Sequence, residues 1–212
     1  TVIADARQRG DGQKARAKHD GAHGVIRVFL GEGGDKRATE FEVQQRLQSS
    51  PYVTKLLSWT VLRELTMLVV VMEYCEGGDV KHRIPPDGIV DADLLWEWVR
   101  DAARAIKACH AHRIMHMDVK PDNLLLRRRA LGGSQDGGET SDSDYDVQLA
   151  DFGLALECAP PSEGDLVLVP HKTGTPAYMS PELLALTEPT KQPFGACDMW
   201  ALGISAFQMA FG

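Results

Sequence analysis

The chain has 212 residues, with 23 Lys and Arg against 30 Asp and Glu, a formal net charge of −7. With 43% hydrophobic and 25% charged residues it has the make-up of a folded chain, long enough for one large domain or two small lobes. Such an acidic chain lacks the broad positive field that non-specific nucleic-acid binding needs, and its longest apolar run, Met67–Met72, is far too short to span a membrane.

No basic segment followed by an apolar stretch opens the sequence, so no secretory signal is expected. Cys75, Cys109, Cys158 and Cys197 stand far apart without a C-x-x-C pair, which excludes the usual zinc and redox spacings. Free thiols and a cytoplasmic, or nuclear, location are the expectation.

In chain order, Thr1–Arg7 and Gly24–Leu30 read as strands, separated by a polar connection at Gly10–Gly21. Ala38–Gln48 carries Phe41, Val43 and Leu47 among charges and predicts an amphipathic helix. Leu65–Tyr74 is a β-prone run ended by the turn Glu76-Gly77-Gly78-Asp79. From Asp91 to about His112, Leu94, Trp98, Ala102, Ala105, Ile106 and Cys109 recur at three- and four-residue steps, a helix that Asp91 or Asp93 can cap. Leu124–Leu126 and Val147–Ala150 read as strands flanking Gly132–Asp146, which holds five acids, no base and no branched aliphatic. Such a run cannot offset its ordering entropy, so residues 131–146 read as a solvated insertion in which Ser141 or Ser143 could be phosphorylated. Met199–Phe211 reads as a final, core-buried helix.

Three motifs follow one another: His116-Met117-Asp118-Val119-Lys120-Pro121-Asp122-Asn123, then Asp151-Phe152-Gly153, then Gly174-Thr175-Pro176-Ala177-Tyr178-Met179-Ser180-Pro181-Glu182. Phosphoryl transfer needs a group to orient and deprotonate the nucleophile, a metal to draw off phosphate charge, and a cation near the phosphates. Asp118 can do the first. Lys120, on the same side of an extended segment, can be the cation. The Asn123 carbonyl and the Asp151 carboxylate are the hard oxygens that Mg²⁺ prefers.

In these motifs the chain resembles the eukaryotic protein kinase family, in its Ser/Thr branch. The resemblance implies an α+β, bilobal fold: a small β-rich N-lobe with one helix (residues 1–75) and a larger, mostly helical C-lobe (76–212). It implies ATP and Mg²⁺ as cofactors, a protein substrate with a Ser or Thr acceptor, and no nucleic-acid or membrane partner. Thr175 would bond toward Asp118 and Lys120, and Asp198 would accept backbone N–H groups of the catalytic loop. Met72 resembles the gatekeeper, followed by a hinge at Glu73 and Cys75 whose backbone would bond adenine. Asp79 would meet the ribose, and Val2, Val25 and Leu125 would sandwich the adenine.

Several positions depart from the family pattern. Gly31-Glu32-Gly33-Gly34 follows the wrong strand for a Gly-rich phosphate loop, and Thr1-Val2 resembles the strand just after that loop. The sequence is therefore expected to begin beyond the loop and to stop before the family's last helices. Arg27, in Gly24-Val25-Ile26-Arg27, stands where the family has its phosphate-binding lysine; a guanidinium keeps the charge but not the compact ammonium geometry. Its expected helix partner is Glu40, which puts Phe41, Val43 and Leu47 on the packing face, with Glu42 as the alternative and Gln44 at an expected apolar position; Lys14 or Lys18 offers a substitute cation. Met117 replaces the arginine that meets the activation-loop phosphate, so phosphorylation at Thr173 is expected to matter little. Arg27 keeps a second reading open, a pseudokinase interaction module; a small-molecule kinase is disfavoured by the peptide-docking run Gly174–Glu182.

Overall fold

A computed structural model describes residues 5–7, 14–19, 22–30, 34–62, 67–89, 91–129, 141–160 and 165–212; for 5–24, 26–39, 61, 62 and 67 it describes the backbone alone. β1 (Asp5–Arg7), β2 (Lys14–His19) and β3 (Ala22–Leu30) open the fold, followed by α1 (Gly34–Arg46), β4 (Leu56–Leu62) and β5 (Met67–Glu73). These five strands form one antiparallel sheet in the order β1-β2-β3-β5-β4.

One expectation is corrected here. Residues Lys14–His19 are not a polar connection but a strand, paired from Lys14↔Arg27 to His19↔Ala22. The sequence KARAKH has no β-branched or aromatic residue, so it is the ladder to β3, and not propensity, that holds it extended. Consequently two strands precede the Arg27 strand, and residues 8–13 join them. The strand read at Thr1–Arg7 is described only as Asp5–Arg7; Thr1 and Val2 lie outside the described residues.

α2 (Ala92–Ala111) occupies the segment with the clearest helical spacing. The Asp91 carboxylate caps it, accepting from Asp93 N at 3.0 Å and Leu94 N at 3.1 Å. Trp98, Ala102, Ala105, Ile106 and Cys109 line its buried face. They pack on the hairpin of β7 (Leu124–Arg128) and β8 (Tyr145–Leu149), and on Val43 and Leu47 of α1. Before β7, β6 (Ile114–Met115) pairs with β9 (Leu156–Glu157). Further along, β10 (Leu166–Val169), α3 (Pro181–Leu184) and β11 (Thr190–Pro193) lead to α4 (Ala196–Phe211), with β10 and β11 antiparallel.

The acidic insertion is also corrected at its C-terminal end; residues 131–140 lie outside the described residues. Asp142 pairs with Arg83 at 2.8 Å and Asp146 with Arg129 at 2.8 Å, while Tyr145 is buried beneath Arg83. Neutralising arginines and one aromatic anchor let this acidic turn fold onto the domain. α4 is buried on one side only: Ala201, Leu202 and Met209 face the core, but Met199, Trp200, Phe207 and Phe211 are 53%, 44%, 64% and 66% exposed. The helix is apolar all round, and among the described residues one stripe of it finds partners.

Candidate active site

Val119, fully buried, pins the middle of an extended segment, so its neighbours Asp118 and Lys120 both turn outward on one side. Lys120 Nζ donates to Asp118 Oδ2 at 2.7 Å and to Thr175 Oγ1 at 2.6 Å. Thr175 donates its amide (2.9 Å) and its hydroxyl (2.6 Å) to Asp118 Oδ1. Asn123 Nδ2 donates to the Asp118 carbonyl at 2.8 Å and to Oδ2 at 3.2 Å. The four residues proposed from the first and third motifs thus meet at one carboxylate.

A buried anion holds this loop from beneath. Asp198, 1% exposed on α4, accepts from His116 N at 2.9 Å, Met117 N at 2.8 Å and the His110 ring at 2.8 Å. His116 is fully buried; its Nε2 faces the Ala150 carbonyl at 3.1 Å and its Nδ1 faces the Asp118 amide at 3.3 Å. A carbonyl demands a donor and an amide an acceptor, so the ring is neutral with the proton on Nε2. Burial accordingly holds its pKa below the ordinary value. Gly174 has φ of 110°, and a Cβ there would stand 2.4 Å from the Met117 carbonyl oxygen, so only glycine lets the Thr175 loop approach.

The second motif is tied to the first. Ala150 N donates to the Asn123 carbonyl at 2.9 Å, His116 bonds Ala150 O, and the His116 and Phe152 rings meet edge-on at 5.0 Å. Asp151 therefore leaves β8 beside the Asp118 loop, with φ of 67°. A Cβ on Gly153 would lie 3.4 Å from Glu40 Oε2 and 3.5 Å from Asp151 Oδ1, which brings the α1 glutamate to the same corner. Glu40 is buried and Glu42 exposed, so the helix turns Glu40 inward. Gln44 is buried too, its amide satisfied by Thr54 O at 3.1 Å and Thr54 Oγ1 at 2.9 Å.

A family model described as "Protein kinase domain" matches residues 10–212. The chain belongs to the protein kinase family. Among curated proteins it is 30% identical over 184 residues to the MAP kinase kinase kinase wis4 of Schizosaccharomyces pombe, covering 84% of this chain and 12% of that protein. It is 34% identical over 166 residues to the calcium/calmodulin-dependent protein kinase kinase of Caenorhabditis elegans, covering 77% of this chain and 27% of that protein. To CBL-interacting serine/threonine-protein kinase 10 of Arabidopsis thaliana it is 30% identical over 171 residues, or 79% of this chain and 30% of that protein. The kinase domain thus spans less than a third of these Ser/Thr kinase relatives.

The α+β architecture is that of this family. In the kinase domain, Val25 of β3 lies directly across from Met72 of β5, so gatekeeper and adenine-contact candidates are neighbours. Leu125 of β7 forms a bridge with Asp79. The Asp79 carboxylate is engaged as a cap, Oδ1 accepting from His82 N at 3.0 Å and meeting the His82 ring at 2.6 Å. The Glu73 side chain turns away from the sheet end to accept from Lys55 N at 2.9 Å. Cys75, the hinge candidate, is buried, and burial pushes its thiol up to about 12, so it stays neutral. Val2 falls outside the described residues. Arg27 sits on β3 between Lys14 of β2 and Val70 of β5 in register; its side chain is likewise not described.

Sequence reasoning missed three parts of this site. His110 is one: it lies on α2 between core positions and reads there as helix surface. Arg113 and Asp165 are the others, 52 residues apart yet paired at 2.8 Å, and nothing local in the sequence links them. Met117 does not leave a polar gap. It is buried in an apolar cluster with Met115, Val167, Val169 and Met179, beside a cavity of about 140 Å³ that Thr173, His171 and Glu40 also border.

Proposed function

We propose that this domain, within its full-length protein, transfers the γ-phosphate of ATP to Ser or Thr hydroxyls of protein substrates. The observation that carries the reading is the Asp118 carboxylate, bonded at once by Lys120, Thr175 and Asn123. An acceptor hydroxyl beside Asp118 would lose its proton to the carboxylate as its oxygen bonds phosphorus and the bond to the ADP oxygen breaks. Lys120 would neutralise charge on the moving phosphoryl group, and Thr175 keeps carboxylate and ammonium in register.

Magnesium would be held by the Asn123 carbonyl and the Asp151 carboxylate together with ATP oxygens, and would supply charge neutralisation. The donors suit it: one amide and one carboxylate oxygen source, on chain segments tied together through the Ala150–Asn123 hydrogen bond.

The test is phosphate transfer from radiolabelled Mg-ATP to a Ser/Thr peptide library by the full-length protein and its Asp118→Asn, Arg27→Lys and Lys14→Ala variants. Transfer abolished by Asp118→Asn supports the proposal. Nucleotide binding without turnover in the wild type, with turnover gained in Arg27→Lys, would replace it by the pseudokinase reading.

A further inference from the structure

In the family pattern an arginine at position 117 would receive an activation-loop phosphate. Here that position is Met117, buried against Val167 and Val169 of β10. The activation segment is nevertheless ordered from Asp165 to Thr175, and an arginine four residues earlier contacts it.

Arg113 follows α2 with φ of 58°, a left-handed conformation that any residue with a Cβ adopts at a cost. Its guanidinium donates from Nε to the Ala159 carbonyl at 2.9 Å. From Nη1 it reaches both Asp165 oxygens, at 2.8 and 3.0 Å. The same guanidinium lies over the Phe194 ring, 3.9 Å from its centroid. Asp165 has φ of 44°, so both members of the ion pair occupy the left-handed region. The Asp165 carbonyl accepts from Phe194 N at 3.0 Å, at the end of the β10–β11 ladder. Arg113 takes this conformation at the residue after the C-cap of α2, where a glycine would serve more cheaply, and Asp165 takes it just before β10, so the ion pair joins two backbone turns that Phe194 bridges, its ring to Arg113 and its amide to Asp165.

We propose that Arg113 is a positioning residue which, with Asp165 and Phe194, clamps the activation segment in the place of a phosphorylated side chain. The proposal rests on the Ser/Thr kinase reading above. The clamp acts in two directions. Toward the substrate side, it fixes the start of β10, which runs through Pro170 to Thr173 and delivers Thr175 to Asp118. Toward the scaffold, Phe194 packs on His110 at 5.0 Å, and His110 bonds Asp198, the anion that holds the His116 and Met117 amides. A peptide binding across Gly174–Glu182 therefore meets a surface ordered by Arg113 before any phosphorylation.

The experiment uses the full-length protein with Arg113→Gly, Arg113→Lys and Asp165→Asn, reading melting temperature, ATP KM, peptide KM and hydrogen exchange of the 166–169 amides. Glycine at position 113 relieves the backbone, so Arg113→Gly keeps or raises the melting temperature while removing the clamp. Expected are a roughly fivefold rise in peptide KM, an unchanged ATP KM and faster exchange at 166–169, with Arg113→Lys recovering part of each. Should Arg113→Gly lower the melting temperature instead, Asp165→Asn supplies the same readings. Unchanged peptide KM and unchanged exchange in both variants overturn the clamp. A wild type that transfers no phosphate overturns the kinase reading alone, because the exchange measurement still decides the clamp.

Discussion

Residues 116–123 and residues 165–175 meet at the Asp118 carboxylate, which takes both the amide and the hydroxyl of Thr175, and at Met117, but different forces fix them. The catalytic loop is held by a dense polar network around two carboxylates: Asp198 beneath it accepts three bonds and Asp118 above it accepts from Lys120, Asn123 and Thr175. The activation segment is held by alternating apolar side chains, Val167 and Val169 inward with Leu166 and Leu168 outward, and by one ion pair at its start. Polar networks in low dielectric define geometry sharply and fail sharply. Apolar packing tolerates change in small steps.

The largest effect is expected at the upper carboxylate. Asp118→Asn keeps the shape but removes the proton acceptor and sets an NH2 against donors that now bond a carboxylate oxygen, so kcat should fall about 10²–10⁴-fold and the melting temperature should fall by a smaller, separate amount. Steady-state kinetics beside a thermal melt separates this chemical loss from unfolding.

The lower carboxylate should behave in the reverse way. Asp198→Ala leaves the buried His116 and Met117 amides without an acceptor, at about 1–3 kcal/mol each. Urea unfolding should show a loss of roughly 2–5 kcal/mol, and activity should vanish with the fold. A variant as stable as wild type would show that the network beneath the loop is dispensable.

This contrast also explains what the sequence made legible. The catalytic loop is contiguous, and its chemistry lies in residue types at fixed spacing, so Asp118, Lys120 and Asn123 can be picked out before any coordinates exist. Asp198 is recognisable only through the resemblance of Cys197-Asp198-Met199-Trp200-Ala201-Leu202-Gly203 to the family pattern. The α2 core face, from Trp98 to Cys109, follows from periodicity. By contrast β2 is invisible locally, since KARAKH becomes a strand only through its ladder to β3. The exposed face of α4 defeats a reading that equates apolar with buried, and the 141–146 turn folds back because Arg83 and Arg129 come from elsewhere in the chain. Arg113 and Asp165 carry no motif; their meaning lies in two backbone angles and a distance.

The polar network gives a pH signature that the apolar segment lacks. His116 is buried neutral with its pKa lowered, so below about pH 6.5 the unfolded chain takes up a proton that the folded chain refuses. Stability should therefore drop as pH falls from 6.5 toward 5, by at most about 1.4 kcal/mol per pH unit from this group, and be flat above 7. Urea midpoints at pH 7.5 and 5.5 check the sign. His116→Asn, which keeps a donor and an acceptor but cannot titrate, should flatten the difference, and an equal slope in that variant would remove His116 as its cause.

Phosphorylation at Thr173 should produce the smallest effect. Thr173 borders a cavity whose other walls include Met117, Val169 and the buried carboxylate of Glu40. The described residues that border it include His171 but no lysine or arginine, so a phosphate bearing nearly two negative charges would gain no guanidinium or ammonium bond there. Order in the segment would instead come from the Arg113–Asp165 pair, the Val167 and Val169 packing and the β10–β11 ladder, which phosphorylation leaves unchanged. Peptide phosphorylation rates of the Thr173-phosphorylated and unphosphorylated full-length protein should then agree within about twofold. Met117→Arg supplies the missing partner, at the expense of apolar packing, and should make the rate respond to that phosphate. Strong activation of the wild type by phosphate would mean that a basic side chain reaches the cavity after modification, and that packing and the Arg113–Asp165 pair together do not suffice to order the segment.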